Sequence, residues 1–267
     1  MFTRWSKMKT YRSKCLRTKG HAGVADRQSR IYGFSQAKLS AASIVSAGAG
    51  GLMAGLGEGL ARKGVKLLTL CDFDPVEPSN LNRQFFYERD LWKNKAICGA
   101  RNFSKEGFLG TEVTGIAMDF MSAIRSGLVP PFDCIVSAVD DERAREEIAE
   151  YGLIVKKPVV TLAVSSDGDA GYVHIQRPGE GCWGCAFPRK RRLRDDPGSY
   201  RAPCPGTPAI KDILMLLAGA GLYAIDTLLM DRPISWNYRE FHLAGFAPDV
   251  VCRIERVPGC HLCGGMP

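Results

Sequence analysis

No run in the sequence approaches the roughly 18 to 20 consecutive apolar residues that a membrane span needs, and the N-terminus has no apolar core of the kind a secretory signal carries. Both absences point to a soluble, cytoplasmic protein with no membrane partner. Acidic residues are almost missing from the first 30 positions, where Asp26 stands alone against nine basic residues: Arg4, Lys7, Lys9, Arg12, Lys14, Arg17, Lys19, Arg27 and Arg30. That difference, 9 − 1 = +8, equals the net charge of the whole chain, so the rest is balanced. The simplest reading of the block is a solvated, disordered tail over residues 1–25. An arm for an acidic partner or nucleic acid is a second reading, and an acid-poor organelle transit peptide a third. The later basic run Pro-Arg-Lys-Arg-Arg-Leu-Arg at 188–194 is followed at once by Asp195 and Asp196 and reads as a loop. Internal repeats are also absent, and 267 residues with 45% apolar content suit one large α/β domain or a main domain with a small appendage.

Cysteine, by contrast, is plentiful. Ten cysteines in a long chain without a signal do not describe a disulfide-stapled secreted domain. Four of them form two CxxC turns, Cys182-Trp-Gly-Cys185 and Cys260-His-Leu-Cys263. Each such turn presents two sulfurs to one point, and four thiolates are the ligand set of a structural zinc ion. Zn²⁺ bound by Cys182, Cys185, Cys260 and Cys263 requires the last residues to fold back onto the middle of the chain; two separate redox motifs, or chance, are the alternative.

The expected fold is α/β: a Rossmann-like domain whose mostly parallel sheet continues into antiparallel strands, plus a C-terminal zinc knuckle built from the four cysteines. Apolar strands are expected at "SIVSAG", "VKLLTLCD", "TEVTGIAM", "DCIVSAV" and "PVVTLAV", with helices between them at about Gly51 to Lys63, at "KAICGARNFSKEG" and at "ERAREEIAEYGLIV". A short helix at "FSQAKLSAA" precedes them. After Gly171 the alternation in "GYVHIQR" predicts a more exposed strand. A Pro- and Arg-rich loop, 186–208, leads to a long apolar helix, which Lys211, Asp212 and Asp226 interrupt too often for a membrane span. It is expected to pack on the sheet or on a second subunit. The tail, 236–267, is expected to supply short strands and the second zinc turn.

Where the first strand hands over to a helix, Gly48-Ala49-Gly50-Gly51 brings backbone N–H groups and the positive helix end to one spot, which suits a phosphate. Asp72 closes the second strand and can accept ribose hydroxyls. Met53 occupies the third glycine place of the dinucleotide fingerprint, so a dehydrogenase, another nucleotide-binding protein and mere close packing all stay open. The stretch "SNLNRQFFYERDLWKNKA" favours the second. Arg83 and Lys95 stand just behind the ribose carboxylate, where an enzyme that breaks an α–β phosphate bond needs cations for the charge that develops. Asn80 and Gln84 can hold the loop or touch phosphate oxygens. Asp140, at the carboxyl end of a strand, is placed to carry Mg²⁺. Ordinary surface charge is the bland reading of Arg83 and Lys95.

"GAGG", "CDFDPVEPSNLNRQ", "KNKA" and "SAVDD", in this order, resemble the ThiF/MoeB/HesA family, the adenylating domain shared with ubiquitin-activating enzymes. The resemblance takes in "DRQSRIYGFSQAKLSAA" and both CxxC turns, covering about residues 26 to 265. It implies a single adenylation domain over 26–267 that uses ATP and Mg²⁺ to activate the C-terminal glycine of a small ubiquitin-like or sulfur-carrier protein, releasing pyrophosphate. It also implies roles: Gly48, Gly50 and Gly51 as the phosphate loop, Asp72 on the ribose, Asn80, Arg83 and Gln84 from the SNLxRQ motif, Lys95 on phosphate and Asp140 on Mg²⁺. Asp141 stands where the sulfur-carrier enzymes usually have Asn. Arg27 matches an arginine that reaches ATP across a homodimer interface. Cys204, before the long helix and near Arg194 and Arg201, matches a place where a cysteine in some members receives the activated carboxylate or takes part in sulfur transfer, and a helix N-terminus with nearby cations would favour its thiolate; a loop cysteine with no role is the alternative. The rivals are an NAD(P)-dependent oxidoreductase and a non-catalytic protein that only binds carriers.

Overall fold

Strands made of Val, Ile, Leu and small residues with no polar alternation must be covered on both faces, which is the condition of a central parallel sheet. The structure, a computed structural model, describes residues 7–16, 23–188 and 208–265. Its elements in chain order are β1 (Met8–Arg12), α1 (Asp26–Ser29), α2 (Gln36–Ala41), β2 (Ser43–Ala47), α3 (Gly51–Lys63), β3 (Leu67–Cys71), α4 (Lys95–Glu106), β4 (Glu112–Ile116), α5 (Phe120–Arg125) and β5 (Cys134–Ser137). The second half continues with α6 (Glu142–Ile154), β6 (Val159–Val164), β7 (Ala170–Gln176), α7 (Trp183–Ala186), α8 (Lys211–Leu229), β8 (Tyr238–His242) and β9 (Val250–Cys252).

All the strands join one sheet in the order β1-β4-β3-β2-β5-β6-β7-β8-β9. The run from β4 to β6 is parallel, and β7, β8 and β9 continue it antiparallel, as the sequence predicts. The chain winds outward from β2 through β3 to β4 and then returns to pair β5 on the other side of β2. That reversal leaves a crevice beyond the carboxyl ends of β2 and β5.

One face of the sheet is covered by α3, α4 and α8 over a core that includes Leu56, Leu60, Leu70, Phe103 and Leu217. The other face carries α5 and α6 over Val45, Ile116, Ile135 and Ile148. α3 ends where the sequence places it, at Gly64, whose φ of 85° lets its N–H reach the Leu60 and Ala61 carbonyls. α3 and α8 approach so closely that a Cβ at Gly51 would lie 2.8 Å from Leu214 Cδ1, and one at Gly59 would lie 2.4 Å from Leu222 Cδ1. Among the described residues, α8 is the one helix long and apolar enough to cross a membrane, yet half of its apolar window is buried inside this fold. Its outer side leaves Met215, Leu216 and Tyr223 exposed.

Two expectations change. The basic tail over 1–25 is not wholly a tail, because Met8–Arg12 adds antiparallel to β4 along its whole length. Thr10 and Thr114 hydroxyls meet at 2.8 Å, Ser13 N–H donates to the Thr111 carbonyl, and Met8 and Tyr11 pack on opposite faces of the sheet. Lys9 and Arg12 point outward, which is how an edge strand discourages pairing with other chains, and their composition mimics a disordered tail. The second change is β7, expected to be exposed and found almost entirely buried. α8, distant in sequence, covers the side of Val173 and Ile175, while Tyr172 stacks on Tyr238 and Phe187 on the other side.

Removing residues 1–14 is therefore expected to lower the thermal midpoint by about 4 °C or more, the shift that roughly 1–2 kcal/mol produces in a domain of this size. The bared β4 edge should also promote self-association, visible in light scattering. A solvated tail would leave both measurements unchanged.

Candidate functional site

β2 ends at Ala47 and the chain turns through Gly48, whose φ of 94° lies in the left-handed region. A Cβ there would sit 2.6 Å from the Ala138 carbonyl oxygen, so conformation and the neighbouring β5 both demand glycine. Gly48 N–H donates to the Cys71 carbonyl at 2.8 Å, which docks the turn on the end of β3. α3 then starts at Gly51 with Gly50 as its N-cap and no side-chain cap, so its first N–H groups and positive dipole end face the crevice. Met53 is fully buried in the core, so the departure from the dinucleotide fingerprint affects packing and leaves the loop intact.

Asp72 follows β3 and is committed on both oxygens. Oδ2 accepts Ala49 N–H at 2.8 Å and Oδ1 accepts Asp74 N–H at 2.9 Å. Burial pushes the Asp72 carboxyl above the usual carboxylate range, and the Asp74 and Ala49 N–H groups and the charge of Lys95 draw it back. Each oxygen retains a lone pair for a further donor.

The segment 79–95 closes the same crevice. Asn80, buried, accepts Glu77 N–H on its Oδ1 at 3.0 Å while its carbonyl receives the N–H groups of Arg83 and Gln84. Arg83 donates to the Ser79 carbonyl at 2.6 Å and to Asn82 Oδ1 at 3.0 Å, which leaves other guanidinium N–H groups for the crevice. Gln84 Oε1 is buried and has no hydrogen-bond partner among the described residues, so it can accept from a ligand donor. Lys95 begins α4 behind the Asn94 cap, and its ammonium pairs with Asp74 Oδ2 at 2.9 Å. A buried cluster holds the loop from below: Asp90, fully buried, accepts from Asn102 Nδ2 at 2.7 Å and from Tyr87 N–H at 3.1 Å, and pairs with Arg101.

On the far wall Asp140 is exposed to the crevice beyond β5, and Asp141 caps α6 by accepting Ala144 N–H at 2.7 Å. Gly48, Gly50, Gly51, Asp72, Asn80, Arg83, Gln84, Lys95 and Asp140 thus all line one cavity of about 520 Å³. Arg27 lies elsewhere: on α1, its side chain is 88% exposed and does not line the cavity. Cys204 falls outside the described residues. Asp74 and Arg145 also line the cavity without having been singled out. The Asp-x-Asp spacing from Asp72 would have indicated Asp74. Arg145 is one of five charged residues in "ERAREE", where nothing in the sequence separates it from a solvated helix face.

The four cysteines of the CxxC turns converge. Sγ separations are 3.7 Å for Cys182 and Cys185, 3.6 Å for Cys182 and Cys260, and 3.5 Å for Cys185 and Cys263, with all four within 4.8 Å of one another. A tetrahedron with Zn–S bonds of about 2.3 Å has edges of about 3.8 Å, so the cluster fits zinc. Val257 N–H donates to Cys185 Sγ at 3.3 Å. His261 lies 3.2 Å from Glu146 of α6, and Gln176 joins the Ala149 carbonyl to Trp183 N–H, so the centre is anchored to the helix that lines the cavity.

With this geometry in place, comparison with known proteins settles the relationship. Residues 22–250 match the ThiF family. The chain belongs to that family. ThiF-family relatives include the sulfur carrier protein adenylyltransferase of Thermus thermophilus, 27% identical over 245 residues that cover 87% of this chain and 86% of that one. The molybdopterin-synthase adenylyltransferase of Escherichia coli K12 is 25% identical over 248 residues, covering 90% and 95%. The bovine adenylyltransferase and sulfurtransferase MOCS3 is 29% identical over 241 residues, and the chain spans 50% of its length. The crystal structure of E. coli MccB with ATP superposes with a TM-score of 0.71 over 86% of this chain and 68% of that chain at 22% identity, a likeness of fold.

The purified ThiF-family chain is expected to carry one zinc per molecule by elemental analysis. Cys182→Ser, at a fully buried ligand position, should lose the metal and unfold at a lower temperature. Full stability without metal would remove zinc from the account.

Proposed function

We propose that the protein adenylates the C-terminal glycine of a small ubiquitin-like or sulfur-carrier protein with ATP. Adenylyltransferase activity accords with its family. The observation that carries the nucleotide part of this reading is the convergence of the glycine loop, Asp72, Arg83, Lys95 and Asp140 on one cavity, and the carrier part rests on the named relatives. In this reading the first N–H groups of α3 and Arg83 hold the phosphates, Asp72 takes the ribose hydroxyls on its remaining lone pairs, and Gln84 Oε1 accepts from the nucleotide. Lys95 exchanges part of its contact with Asp74 for the phosphate chain.

Charge balance calls for Mg²⁺. Seven carboxylates line the cavity (Asp72, Asp74, Glu77, Asp119, Asp140, Asp141 and Glu147) against Arg83, Lys95 and Arg145. A triphosphate would be repelled there without a divalent cation, and Asp140, exposed and unpaired with any lysine or arginine among the described residues, is positioned to hold one. Mg²⁺ supplies charge neutralisation on the phosphates.

The reaction is a substitution at the α-phosphorus. A carboxylate oxygen of the carrier's terminal glycine forms the new P–O bond, and the bond to the bridging β-oxygen breaks. Its electron pair leaves on pyrophosphate, and the product is a carrier acyl-adenylate. Negative charge grows on the leaving group, where Arg83 and Lys95 stabilise it more in the transition state than in the ground state. The homodimer belongs to this reading: Arg27, solvent-directed in one protomer, would reach a partner's nucleotide, and the exposed Met215, Leu216 and Tyr223 on α8 would be covered. Cys204 is the proposed acceptor should the acyl group pass to a thiol.

Carrier-dependent exchange of labelled pyrophosphate into ATP tests the activity. Arg83→Ala, Lys95→Ala and Asp140→Ala should each slow it by about a hundredfold, the effect of roughly 3 kcal/mol in barrier, with folding nearly intact. Near-normal exchange in all three variants would refute the assignment of these residues.

A further inference from the structure

Arg145 is a cation in an unfavourable place. It lies in the first turn of α6, at the positive end of the helix dipole, and is only 9% exposed. Its Nε donates to the Val139 carbonyl at 3.0 Å, and among the described residues no carboxylate pairs with it. A buried guanidinium with no counter-ion is costly unless an anion arrives. It lines the cavity, so an anion can reach it.

Which anion follows from where Arg145 stands. The glycine loop, Arg83 and Lys95 are on the β2–β3 side of the crevice. Arg145 is on the β5 side, tied to the carbonyl just before Asp140 and close enough to Tyr172 of β7 for its charge to act on that hydroxyl. Tyr172 in turn stacks on Tyr238 and packs against Phe187, an aromatic cluster on the antiparallel part of the sheet. An in-line displacement brings the nucleophile in opposite the leaving pyrophosphate, and with the phosphates held on the glycine-loop side that is the β5 side of the crevice.

We propose that Arg145 forms the subsite for the terminal carboxylate of the carrier. The planar guanidinium can present two parallel N–H groups to a carboxylate, fixing its plane before attack. This inference rests on the adenylation reading and adds to it the group that holds the nucleophile. One carboxylate oxygen bonds to the α-phosphorus as pyrophosphate leaves; the acyl group becomes uncharged and the ion pair with Arg145 ends. The contact is strongest in the ground state, so Arg145 is a binding and positioning residue whose loss raises KM for the carrier more than it lowers kcat.

The test uses a synthetic peptide ending in Gly-Gly, as the free carboxylate and as the carboxamide, titrated onto protein holding a non-hydrolysable ATP analogue. Wild type should prefer the carboxylate by about tenfold or more, Arg145→Gln should reduce the preference to within about twofold, and Arg145→Lys should retain part of it. Affinity for the ATP analogue should change by less than about twofold in both variants, with unchanged zinc content and thermal midpoint. A preference that persists in Arg145→Gln, or analogue binding that weakens along with it, overturns the subsite and returns Arg145 to the phosphates or the Val139 loop. Equal or absent binding of the two peptides by wild type that does bind the analogue also overturns it. Failure of wild type to bind the analogue refutes the adenylation reading itself.

Discussion

One carboxylate joins the two loops on which the site depends. Asp72 accepts a backbone N–H from Ala49 in the glycine turn and another from Asp74 in the next loop. The Asn94 amide donates to the Asp72 carbonyl at 2.8 Å, and Lys95 donates its backbone N–H to the Asp74 carbonyl at 2.8 Å. The ends of β2 and β3 and the start of α4 are thus fixed relative to one another. Burial disfavours the charge on Asp72, and the donors around it offset only part of that cost. An alanine there would leave the Ala49 and Asp74 N–H groups to find other partners as well as removing the proposed ribose contact, so loss of function at Asp72 would have two causes.

The four-cysteine cluster imposes a constraint of another kind. Cys182 and Cys260 are 78 residues apart, and between them run α7, α8, β8 and β9. Closing a loop of that length through a metal removes much conformational freedom from the unfolded chain. The closure also sets the position of Trp183, Phe187 and Tyr172, and through Gln176, Glu146 and His261 it is anchored to α6, the helix that carries Arg145. The zinc turns lie outside the cavity but support its β5-side wall.

Much of this was legible in the sequence because its signals are local. The parallel strands are short apolar runs, α3 has its glycine stop, the CxxC turns declare their own geometry, and the motifs from Gly48 to Asp140 line one cavity. What was not legible depends on partners distant in the chain. Lys9 and Arg12 look like tail residues until β4 supplies a neighbour. "GYVHIQR" alternates as an exposed strand would, until α8 and the aromatic stack cover both its faces. Arg145 is indistinguishable from Arg143 by composition, and only the fold turns one to solvent and the other toward the Val139 carbonyl.

The central claim is that the bond broken in ATP is the one between the α- and β-phosphates, with the carrier's carboxylate as the nucleophile. Parallel incubations of the protein, Mg²⁺ and a carrier ending in Gly-Gly with ATP labelled at the α-phosphorus or at the γ-phosphorus measure this directly. The account predicts that the α-label appears on the carrier and the γ-label in pyrophosphate. Label from the γ-position on the carrier, or its release as free inorganic phosphate without adenylate formation, would contradict it.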